Sequence, residues 1–218
     1  ELKNPDMIIL PGTKNTMEDL LWMRQNGLEA AILKQADQGK IIFGVCGGYQ
    51  MLGQTLSDPE GVEAGGEIKG MGLLPMDTVF KENKTRTRVT GTFREIKGPL
   101  SLLSGTELEG YEIHMGTTSL SDGAESLVKI SDQVTGTARL DGAYRDNVYG
   151  SYVHGIFDKE EVAKKIVEAI GAKKGIDVSE MNSVDFTQFK ETQYDLLAQG
   201  LREHLDMEKI YKILEAGA

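Results

Sequence analysis

Short apolar runs alternate with helically spaced ones over the first third of the chain. Met7 to Leu10 (MIIL) and Ile41 to Val45 (IIFGV) are brief, mostly β-branched and bounded by turn residues, which predicts buried strands. Between them Glu18 to Met23 forms a short helix closed by Asn26 and Gly27, and Leu28, Ala31, Ile32 and Ala36 form a helical stripe over Leu28 to Gln38 that stops at Gly39. Strand, helix and strand in this order make a βαβ unit with parallel, neighbouring strands. Their following loops gather at one sheet edge, so PGTKNT and the residues after Val45 should lie side by side.

Beyond Gly53 the pattern changes. Residues 57–70 are rich in Gly, Asp and Glu and read as a loop. Strand-like segments follow at Leu73 to Phe80, Thr85 to Phe93, Tyr111 to Met115, Leu127 to Ile130 and Val148 to Val153, with Asp-Gly and Asp-Asn turns among them. They predict antiparallel or mixed sheet continuing or flanking the parallel core. Lys159 to Lys173 is amphipathic, with Val162, Ile166, Val167 and Ile170 on one face, and two more helices are expected at about Phe186 to Leu205 and Met207 to Leu214. The expected organisation is an α/β core over 1–175 and a helical extension over 176–218, without internal repeats.

The chemistry concentrates where the second strand ends. Cys46, the only cysteine, follows Gly44-Val45 and precedes Gly47-Gly48, and YQML can start a helix at once. A strand that becomes a helix in so few residues resembles a nucleophile elbow, with small neighbours relieving the sharp turn. A packing cysteine needs no such glycines. The helix N-terminus is expected to lower the thiol pKa from about 8.5 into roughly the 3.5–7.5 range. Among three histidines, His154 ends a strand and is the preferred proton carrier; His114, inside GYEIHMG, binds substrate or holds a loop; His204, in REHLDMEK, reads as solvated surface. The Gly47 N–H and the Gly12-Thr13 loop are the expected oxyanion donors, and Gln50, one turn into the helix, can hydrogen-bond an amide substrate.

Composition narrows the partners. The 218 residues are 39% apolar and 27% charged, with a formal charge of −10, which disfavours nucleic acid and anionic membranes. Neither a membrane-length apolar run nor a basic-apolar leader occurs. A single cysteine forms no internal disulfide and suits a reducing cytoplasm. The start ELKNPDMIIL enters a strand almost immediately and lacks Met, which suggests a fragment of something longer.

LPGTKNT, GVCGGYQMLG, EGYEIHMG and YVHGIFD, in this order and spacing, resemble the glutamine amidotransferase domain of the cobyric acid synthases, in the class I, Cys-dependent amidotransferases. The tail, from YDLLAQGLREHLDM to IYKIL, is similar as well. The resemblance implies a flavodoxin-like α/β core whose first strand would precede Glu1, and glutamine hydrolysis at Cys46 with His154 as acid and base. It implies no cofactor in this domain. Ammonia would pass to an N-terminal synthetase domain of the same polypeptide, which uses ATP and magnesium to amidate corrin carboxylates. Most of the class carries a glutamate two residues after the histidine; here Ile156 stands there, as in this branch, leaving a Cys46–His154 dyad. Related readings are the amidotransferase domain of a cobyrinic acid a,c-diamide synthase or of a cell-wall precursor ligase, and a binding or regulatory domain that has lost activity.

Overall fold

In a computed structural model, described here over residues 2–178 and 186–217, the opening βαβ unit is present. Strand β1 (Met7–Leu10) leads through α1 (Thr16–Gln25) and α2 (Leu28–Asp37) into β2 (Ile41–Val45), which pairs with β1 in parallel, Met7 opposite Ile41 and Leu10 opposite Gly44. Helix α1 is longer than its apolar spacing suggests because Asn15 caps it, accepting from the Glu18 N–H at 3.2 Å.

The chain then turns into α3 (Gly47–Met51), β3 (Thr55–Asp58), β4 (Gly66–Lys69), β5 (Met76–Phe93), β6 (Glu107–Leu120), β7 (Val128–Asp132), β8 (Ala138–Asp141), β9 (Ala143–Arg145), β10 (Val148–Ser151) and α4 (Glu160–Lys174). Two sheets result. The first has the order β1-β2-β10-β9, parallel except for β9, and the second runs β4-β3-β5-β7-β8 with β6 also paired to β5.

Strand β2 is buried on both faces, which explains its unbroken apolar run. Ile42 packs with Leu20, Ile32 and Ala36 of α1 and α2, whereas Ile41 and Phe43 join Val162 and Ile166 of α4.

Two expectations are corrected here. Residues 57–70 are not merely a loop: β3 and β4 pair antiparallel across a turn in which the Asp58 carboxylate accepts from the N–H groups of Val62, Glu63 and Gly65, each at 2.8 Å. Strand β4 is mostly exposed, so its polar sequence costs little. The two strands expected between Leu73 and Phe93 are one, β5, whose pairing with β6 slips between Val79 and Lys84.

The chain divides into two compact units, Glu1–Met181 and Asn182–Ala218. The second contains α5 (Phe186–His204) and α6 (Met207–Glu215), the latter capped by Asp206 accepting from the Lys209 N–H at 3.0 Å. Among the described residues no helix is long and apolar enough to cross a membrane.

Candidate active site

Cys46 sits at the junction of β2 and α3 with φ +52° and ψ −113°, a conformation that a residue with a side chain seldom adopts. The turn survives because its neighbours are small. A Cβ on Gly48 would overlap the Leu10 carbonyl at the end of β1, and the Gly48 N–H instead donates to the Pro11 carbonyl at 3.1 Å. Loop and elbow therefore lie against each other, as the parallel pairing of β1 and β2 requires. The Cys46 N–H donates to the Ser151 carbonyl at 2.9 Å, fixing the elbow to β10 as well.

His154 arrives three residues past β10, held by a two-residue bridge to β6: its N–H donates to the Tyr111 carbonyl at 2.8 Å, and its carbonyl accepts from the Tyr111 N–H at 3.1 Å. Its ring converges with Cys46 over Gly12. A Cβ on Gly12 would stand 2.8 Å from His154 Cε1 and 3.3 Å from Cys46 Cβ, so a side chain there would displace one or the other. His154 Nε2 is buried with no hydrogen-bond partner among the described residues.

The electrostatics differ from expectation. Burial pushes the Cys46 thiol up to about 11, and the carboxylates of Glu63, Asp141 and Glu112 push the same way against the opposing Gly47 N–H. Helix α3 has only five residues and the sulfur is nearly out of water, so desolvation outweighs the helix end. The resting nucleophile is a thiol, which donates to the Ile113 carbonyl at 3.5 Å. Burial also lowers the His154 pKa, with a hydrogen bond to the Ile113 backbone acting in the opposite direction. The resting pair is thus neutral thiol and neutral imidazole.

The other expected site residues fall around this pair. Thr13 places its N–H 3.1 Å from where a Gly47 Cβ would be, while its hydroxyl is tied to Asp19. Gln50 is buried, and its amide is engaged: Nε2 donates to the Met115 carbonyl at 3.0 Å and the Tyr152 hydroxyl at 3.1 Å, and Oε1 accepts from Thr16 at 3.1 Å. His114 stacks on Tyr152 with ring centroids 3.7 Å apart, and with Glu112, Arg139 and Asp141 it lines a cavity of about 520 Å³. Burial holds its pKa down to about 4. His204 ends α5, exposed, with Nδ1 2.8 Å from the Gly200 carbonyl.

One residue near the site escaped the sequence pattern. Glu63, in the turn between β3 and β4, accepts from the Met17 N–H at 3.2 Å and the Thr16 hydroxyl at 3.1 Å. Of the carboxylates that raise the Cys46 pKa, Glu63 acts most strongly. The available signal was Asp58, whose side chain folds this turn back toward α1.

The model of the CobB/CobQ-like glutamine amidotransferase domain matches residues 1–162. A cobyric acid synthase from Ruminiclostridium cellulolyticum is 52% identical over all of this chain and 43% of its own length, and one from Lachnoclostridium phytofermentans is 50% identical over all of this chain and 44% of its own. The chain thus spans less than half the length of these curated relatives. Among solved structures, PurLQS from Thermotoga maritima superposes with a TM-score of 0.55 at 20% identity, covering 80% of this chain and 82% of that one. A glutamine amidotransferase superposes at 0.50 with 17% identity, covering 78% and 82%. At that identity the likeness concerns the fold, which agrees with the α/β architecture above. With an elbow cysteine and a strand-end histidine meeting over the neighbouring loop, the chain belongs to the CobB/CobQ-like glutamine amidotransferase domain family.

Proposed function

We propose that this chain hydrolyses glutamine at Cys46 and supplies the ammonia to the remainder of a cobyric acid synthase, where ATP and magnesium would drive amidation of corrin side-chain carboxylates. The observation that carries the reading is the convergence of Cys46 and His154 on Gly12. In the resting state His154 offers a neutral imidazole whose Nε2 has no partner among the described residues, and Cys46 a protonated sulfur. On substrate binding the imidazole takes the thiol proton as sulfur attacks the carboxamide carbon. The Gly47 N–H and the Gly12-Thr13 backbone face the oxyanion that develops. The imidazolium then protonates the leaving nitrogen, ammonia departs, and a thioester remains. Water, deprotonated by His154, cleaves the thioester to glutamate and restores the thiol.

In this reading Glu63 provides a negative charge for the glutamine α-ammonium, and the Gln50–Tyr152 hydrogen bond shapes the wall behind the amide. The partner of the domain is the additional length present in the curated relatives. The setting proposed for this reaction is a reducing cytoplasm, which the single cysteine suits. In the complete enzyme, Cys46→Ser is expected to abolish glutamine-dependent amidation and leave amidation by free ammonium chloride intact. Loss of both would assign Cys46 to folding or docking.

A further inference from the structure

Tyr111 lies on β6 with 46% of its surface exposed. It does not face the cavity that His114 lines. Side chains alternate along the strand, so Glu112 and His114 turn toward that cavity while Tyr111 and Ile113 turn the other way. On that face the Tyr111 ring stacks on the His154 imidazole, with centroids 5.0 Å apart and planes within 5° of parallel. The same two residues exchange both backbone hydrogen bonds of the bridge. The next outward residue, Ile113, presents its carbonyl to the Cys46 thiol and to His154. Two residues past the histidine, Ile156 is buried in the apolar core, so that position brings no charge to the imidazole.

We infer that Tyr111 is a positioning residue: its ring face, with the Ile113 carbonyl, fixes the plane of His154 beside Cys46, where the two side chains meet over Gly12. This rests on the glutaminase reading and deepens it. An imidazole anchored at its backbone can still turn about its side-chain torsions. A flat ring stacked on it removes that freedom and shields one face from water. Neither effect needs the phenolic hydroxyl.

The test is steady-state glutamine hydrolysis by the complete enzyme between pH 5 and 9, for wild type and Tyr111→Phe, Tyr111→Leu and Tyr111→Ala, with thermal unfolding as a check on folding. Phe is expected to stay within about threefold of wild type, whereas Ala and Leu lose about tenfold or more in kcat with KM changed less than threefold. The acidic limb of the kcat/KM profile should move to higher pH in the Ala variant, because uncovering the imidazole relieves the desolvation that holds its pKa down. A folded Leu variant as active as wild type, or an unmoved profile in a folded Ala variant, overturns the inference alone. A wild-type enzyme without glutamine turnover overturns the glutaminase reading and the inference with it.

Discussion

Cys46 combines a strained backbone with a sulfur that burial keeps protonated. The glycines around it were legible as an elbow, because only a crowded turn needs Gly48 directly against the Leu10 carbonyl. The protonation state was not legible: it depends on burial and on Glu63, Asp141 and Glu112, brought close from three separate parts of the chain. A thiol poised near 11 has a measurable consequence. Alkylation of Cys46 by iodoacetamide, which uses none of the substrate contacts, is expected to accelerate about tenfold per pH unit from pH 8 to 10. A rate that levels off below pH 8 would mean a preformed thiolate.

At the level of elements, β6 does most to assemble the site. Its backbone holds His154, its Ile113 carbonyl meets the Cys46 thiol, and its inward side chains Glu112 and His114 carry opposite perturbations. Burial raises Glu112 to about 7 from an ordinary 4.5, so the unfolded chain releases its proton first and Glu112 costs stability as pH rises through that interval. His114 is lowered to about 4 from 6.5, so the unfolded chain binds a proton first and His114 costs stability as pH falls. Between pH 4.5 and 6.5 the two largely cancel. Glu112→Gln should therefore gain on wild type by up to about 3 kcal/mol as pH rises from 4.5 to 7, and His114→Gln should gain by up to about 2 kcal/mol as pH falls from 6.5 to 5. Urea unfolding across this range reads the difference; a pH-independent offset in either variant would contradict it. Of these elements, β1, β2, α2 and α4 were plain in the periodicity because each buries a continuous face. The middle of β5 was obscured by KENK, Lys81 to Lys84, whose unbroken exposed polar run carries no strand pattern, and β4 by its position at a sheet edge.

Across the whole molecule, the site exists only because the ends of β1, β2 and β10 meet at one sheet edge and the second sheet lays β6 over them. That meeting was readable as far as the parallel βαβ rule reaches, which placed the Gly12 loop beside Cys46. The arrival of His154 beside them, and of Tyr111 over it, depended on pairing between residues far apart in sequence, which no local pattern encodes. The central claim is that sulfur and imidazole act together on glutamine. Its most direct measurement is labelling by 6-diazo-5-oxo-norleucine, followed by intact mass and peptide mapping, in wild type and His154→Ala. One adduct per chain on Cys46 is predicted for wild type, with labelling at least about a hundredfold slower in His154→Ala; an unlabelled Cys46 in folded wild-type enzyme, or equal rates in the two proteins, would contradict it.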